Sequence, residues 1–156
     1  MTVNELGRVL VSEWHQIGAD SDGDYQNTLE TFREQLQYLY DHDFRPVTTR
    51  EYADGTFPIP AGTSPVLLTF DDARPDHFQW GPDGQTPDPD SVVGILEAFA
   101  ATHDDWRTTG VFAYNWPPFG DWGDDEEVAR KLNYLVEQGF EPVSYTHLTL
   151  PTIYSV

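Results

Sequence analysis

Cysteine is absent from the 156 residues. That excludes disulfide staples and thiolate metal sites, and it leaves the redox compartment unmarked. Lysine is almost absent: Lys131 is the single one among eight basic residues, against 27 acidic residues and a formal charge of -19. Such a surface repels nucleic acid and anionic membranes, so no nucleic-acid partner is expected. An acidic, lysine-poor surface also suits a salt-adapted host, an expectation that fails if the protein is more stable in dilute buffer than in molar salt. No apolar run reaches the ~20 residues that a membrane-spanning helix needs. Val9–Val11 is too short for a signal peptide and follows no basic start. The protein is therefore expected to be cytoplasmic, or its true start to lie upstream of Met1.

What is present is enough apolar material for a core. Hydrophobic residues make up 38% and aromatics 14%, which excludes wholesale disorder. Arg8–Trp14 reads as a buried strand ending near His15, and Ala19–Gln26 as a polar loop. A helix follows, capped by Asn27 or Thr28, with Leu29, Phe32, Leu36, Leu39 and Tyr40 on one face. Phe44–Thr48 reads as a short strand, and Thr49–Ala53 as a brief helix stopped by Gly55. The continuous apolar run Val66–Phe70 fits a strand buried on both faces, as in a parallel sheet. Asp88 is expected to cap the next helix, with Pro89 at its first position. Thr109–Tyr114 reads as a strand, 115–123 as an aromatic loop, and Asp125–Gln138 as a helix ended by Gly139. Alternating strands and helices imply an α/β fold with a mainly parallel sheet.

In such folds ligands gather at the carboxyl ends of the strands. Asp71 and Asp72 follow Thr69-Phe70 at such an end. Two carboxylates there can divide two tasks, one binding a cation and the other taking a proton from water. On local pattern alone, an Asp pair after a strand is more often a turn cap. His15 ends another strand and either lines the site or is satisfied structurally. His42, His77 and His103 read as surface or turn residues. Trp80, Trp116 and Trp122 fall in loops after strands, where aromatic faces stack on sugar rings or simply pack.

The segments PVLLTFDD, EWHQI, DPDSVVGILEAF and TTGVFAY together resemble, in order and spacing, the polysaccharide deacetylases of carbohydrate esterase family 4, the NodB-homology group. The chain resembles that family over nearly all of residues 5–141. Ala73 stands where the family's first motif usually has glycine. The resemblance implies the N-terminal part of a distorted (β/α) barrel, truncated before closure. It implies Asp71 as general base and Asp72 as ligand of a divalent metal, typically zinc, with two later histidines completing the metal site. The implied substrate is an N-acetylated polysaccharide, and the implied products are acetate and a free amine on the sugar. The family suggests an extracytoplasmic or cell-envelope setting. Rival readings are a non-catalytic carbohydrate-binding module that kept the fold, and a glycoside hydrolase built on Asp71 and another carboxylate. No glycine-rich phosphate loop supports a phosphotransferase. The oligomeric state is not legible.

The family's second motif, which carries the two histidines, should follow Gly139-Phe140-Glu141, but the chain reads Pro142-Val143-Ser144-Tyr145-Thr146-His147. Its single histidine, His147, sits at the wrong offset for either ligand. The codons GTC TCT TAT ACA CAT CTG ACG CTG CCG ACG translate to Val143–Thr152 without mismatch. That DNA resembles a transposase-derived sequencing adapter. The expectation is a partial deacetylase catalytic domain over 1–141, a non-native tail over 142–156, and an isolated fragment that does not turn over substrate.

Overall fold

The computed structural model describes residues 7–115 and 117–144. The central sheet holds five strands: β1 (Leu10–Trp14), β4 (Phe44–Pro46), β5 (Ser64–Asp72), β6 (Val111–Tyr114) and β7 (Glu141–Ser144). The order is β1-β5-β6-β7, with β4 paired to the first residues of β5, and every pairing is parallel. Among the described residues the sheet does not close on itself. Two short strands, β2 (Gln16–Ile17) and β3 (Gln26–Asn27), pair with each other across the loop expected at Ala19–Gln26, β3 taking its last residue.

The apolar run at Val66–Phe70 became the middle of the longest strand because both of its faces are covered. Pro65 through Leu68 and Phe70 are buried. Its register is marked by an aromatic ladder across three strands. Trp14 pairs with Phe70, and Phe70 with Phe112. Their rings stack at 5.4 and 4.9 Å. Phe32 of helix α1 (Leu29–Asp41) closes on the ladder edge-on, 5.5 Å from Trp14 and 6.0 Å from Phe70. Fully burying aromatic rings of this kind stabilises by roughly 1.5–3 kcal/mol each, and ring-on-ring geometry adds about 0.5–1.5 kcal/mol per pair.

Each helix starts where a side chain satisfies its first free N–H groups. Thr28 caps α1, accepting from the Thr31 N–H at 3.1 Å. Helix α2 (Thr49–Asp54) has a full capping box, Thr48 with Glu51, and stops at Gly55 with φ 66. Helix α4 (Asp125–Gln138) starts at Asp124 and stops at Gly139, φ 96. Helix α3 corrects the sequence expectation. It runs Val92–Thr102 and is capped by Ser91, not by Asp88 with Pro89 at its first position. The Asp88 carboxylate is spent on the Asp90 N–H at 2.8 Å, and the Asp88 carbonyl takes the Ser91 N–H. That carbonyl comes so near the helix that a Cβ at Gly94 would lie 2.1 Å from it, so the approach requires glycine.

Lys131, the single lysine, is buried. Its ammonium pairs with Asp121 at 2.9 Å and donates to the Phe78 carbonyl at 3.1 Å. It thereby ties α4 to the 118–121 turn, where Phe119 is buried at φ 60 and its N–H donates to the Ala73 carbonyl at 2.6 Å. Strand β7 takes in residues 142–144, part of the tail expected to be non-native.

Candidate active site

Because the sheet is parallel, the carboxyl ends of β1, β5 and β6 open on one side. Trp14, Leu68, Phe70 and Phe112 point into the helix-covered core. Strand alternation then sends Glu13, Thr69 and Asp71 to the opposite face. The register pairs Glu13 with Thr69 and Trp14 with Phe70, which sets the next residue, His15, alongside Asp71. Glu13, His15 and Asp71 accordingly form a cluster whose ligand atoms all lie within 4.8 Å of one another. The His15 Nε2 stands 3.7 Å from the Glu13 Oε1, and the two side chains are 27% and 58% exposed. The cluster is thus open to solvent.

The structure brings together two of the residues singled out in the sequence, Asp71 and His15, and adds Glu13. The signal for Glu13 is its parity with His15, which becomes meaningful only once the β1–β5 register is known. Asp72 stands apart from this cluster. It is exposed, sits at φ 70, and accepts from the Asn115 Nδ2 at 3.3 Å. The buried Ala73 follows at φ 38. This is where the related motif usually carries glycine, and two consecutive non-glycine residues with positive φ are costly. The Phe119 N–H on the Ala73 carbonyl braces the turn.

The donor set fits a divalent cation. Two carboxylates and one imidazole within reach of one another are groups that could hold a metal ion. If a divalent ion binds at this strand end, Glu13 and His15 are the side chains that would hold it beside Asp71.

His77 corrects another expectation. It is not a surface or turn residue: its side chain is 0% exposed, with the ring edge-on to Phe70 and Phe112 at 5.9 and 6.1 Å. Burial pushes its imidazole below the ordinary range and outweighs the His15 carbonyl and Asp76, which pull it up. The Gly-, Pro- and Asp-rich loop around it gave no sign of burial, because its apolar neighbours come from other strands. His42 is exposed and His103 half-buried, both hydrogen-bonded to helix carbonyls by Nδ1.

Of the tryptophans, Trp80 is half-buried. Its ring lies under the Arg130 guanidinium at 4.1 Å and edge-on to Tyr134 at 5.2 Å, and its indole N–H donates to Glu127. Trp122 is 82% exposed. Trp116 and His147 lie outside the described residues.

No family model and no curated protein matches the chain. Solved structures do. The chain is similar to the Streptococcus pyogenes deacetylase PplD in complex with acetate, with a TM-score of 0.56 and 17% identity over 86% of this chain. It is also similar to BC0361, a polysaccharide deacetylase from Bacillus cereus, with a TM-score of 0.53 and 14% identity over 92% of this chain. The chain spans 54% and 42% of the lengths of those two chains. The mixed α/β architecture with an open parallel sheet is thus that of part of a NodB-like (β/α) barrel. Its fold is the polysaccharide deacetylase fold.

Proposed function

We propose that this chain belongs to a metal-dependent hydrolase that removes N-acetyl groups from the amino sugars of a polysaccharide. The observation that carries the reading is the placement of Asp71, beside His15 and Glu13, at the carboxyl end of the central strand of a deacetylase-like sheet. Asp71 is the general base, taking a proton from the attacking water and later returning it to the leaving amine. Asp72, with two histidines beyond Glu141 in the parent, is the metal ligand set that the family resemblance implies. Glu13 and His15 fit either as further ligands or as groups that orient Asp71. A bound divalent cation, zinc by the family resemblance, would supply Lewis-acid polarisation of the acetyl carbonyl. Trp122, and Trp116 by its position in the chain, are the candidates for stacking on the glycan. Acetate, present in the PplD complex, is the product this reading assigns.

Residues 1–141 are in this reading the first part of the catalytic domain, and 142–156 are not native to it. The fragment alone is then inactive. Genomic DNA downstream of codon 141 tests this: two histidines spaced for the second motif are predicted, and their absence would remove the metal proposal.

A second reading is favoured by one distance. Glu13 and Asp71 offer carboxylate oxygens within 4.8 Å of each other, and a retaining glycosidase also works with two nearby carboxyl groups. Against it, the two stand side by side on neighbouring parallel strands, whereas glycosidase carboxylates flank the scissile bond. Assay of the intact parent separates the readings. Acetate release supports the deacetylase, reducing-end release the glycosidase, and binding without either a non-catalytic module.

A further inference from the structure

His15 could reach Asp71 by register alone, yet the peptide that carries it is held from outside the sheet. The His77 imidazole bonds through Nε2 to the His15 carbonyl. One residue earlier, the Asp76 carboxylate accepts the Ile17 N–H at 2.7 Å and is itself held by the Arg74 guanidinium at 3.2 Å. Both clamps come from residues 74–77, immediately after Asp71-Asp72. The same segment is fixed from behind by α3, whose Val92 and Val93 N–H groups donate to the carbonyls of Asp76 and His77.

The chemistry of His77 speaks against simple packing. A carbonyl only accepts, so Nε2 carries the proton and Nδ1 is the bare nitrogen. That Nδ1 is buried with no hydrogen-bond partner. Leaving such an acceptor unsatisfied carries an uncompensated desolvation cost. A phenylalanine among Phe70 and Phe112 would avoid that cost. What the imidazole contributes in return is one hydrogen bond, to the peptide of His15. We propose that His77, with Asp76, is a positioning residue that holds the exit of β1 so that the His15 ring faces Asp71. This couples the turn carrying the Asp pair to the strand end carrying the histidine. The inference rests on the reading of the strand-end cluster as the working site.

The chain itself is the material for the test, with His77→Phe and His77→Gln as the main variants and the His15 ring resonances in NMR as a readout that needs no metal. In His77→Phe the His15 resonances shift or broaden while the buried Trp106 indole signal, a reporter of the fold, stays in place. Gln can donate to the same carbonyl, so His77→Gln restores the His15 signals. Zinc titration is the second readout: His77→Phe weakens zinc at least tenfold, the scale on which groups behind metal ligands act, and His77→Gln recovers most of it. If His77→Phe does not fold, Asp76→Asn, which keeps shape but weakens the acceptor of the Ile17 N–H, is predicted to shift the same His15 signals. A folded His77→Phe or Asp76→Asn protein with unchanged His15 resonances overturns the proposal. A wild-type chain that takes up no zinc removes the metal reading of the cluster, while the His15 resonances still decide the positioning role.

Discussion

The two faces of the central sheet are built to opposite rules. On one, Trp14, Phe70 and Phe112 stack in register, the first two against Phe32 of α1, with Val66 and Leu68 in the same core. On the other, one residue out of step, Glu13, His15 and Asp71 bring two carboxylates and an imidazole together in partial exposure to water. The first face is made of groups whose burial drives folding. The second is made of groups that a fold seeking only stability would keep apart, since like charges at close range repel. Because strand side chains alternate, the aromatic ladder sets where the polar cluster lies, and a slip of one residue would exchange the faces.

That contrast can be broken most severely from the core side. Phe70→Ala removes the ring in the middle of the ladder and is expected to cost about 3–5 kcal/mol, seen as a large fall in the denaturant midpoint. A cost below 1 kcal/mol would mean that the ladder does not hold the register. The opposite face should respond in the opposite way. Asp71→Asn is expected to leave stability unchanged or slightly raised, because it relieves the charge facing Glu13, while acetate release by the intact parent falls by roughly 10²–10⁴-fold. Loss of both stability and activity would place Asp71 in the structural account. Between the faces lies the strained turn. Ala73→Gly places the residue that tolerates φ 38 and is expected to stabilise by about 0.5–1 kcal/mol in thermal unfolding. Destabilisation would show that the methyl group's packing outweighs the backbone strain.

The smallest effect is expected far from both faces. Asp83 accepts the N–H groups of Gln85 and Thr86, which bring its carboxyl down to about 2. Its folded-state value lies below the ordinary one, so its contribution is full above the ordinary carboxylate range and declines from there as pH falls through about 2. The 83–86 turn should therefore persist, by amide exchange, at pH values where exposed carboxylates have protonated. Loss of protection near pH 4 would contradict the assignment.

Much of this was legible in the residues because it is local. The bounds of α4, from its acidic first turn to Gly139, agree with the sequence reading at both ends. The strand at Val66–Phe70 was plain from its unbroken apolar run, and the Asp pair at its end followed from that. The rest depends on partners distant in the chain. Glu13 looked like an ordinary polar residue of β1 until the register set it beside Asp71. His77 sat in a polar loop, and only the arrival of Phe70, Phe112 and the His15 carbonyl made it a buried donor. Ser91 displaced Asp88 as a helix cap because Asp88 had a nearer N–H to satisfy.

The most direct test is the product released by the intact parent acting on an N-acetylated glycan, with Asp71→Asn beside the wild type. The account predicts free acetate from the wild type, no new reducing ends, and a drop of at least a hundredfold in the variant. New reducing ends, or acetate release that survives the loss of the Asp71 carboxylate, would contradict it.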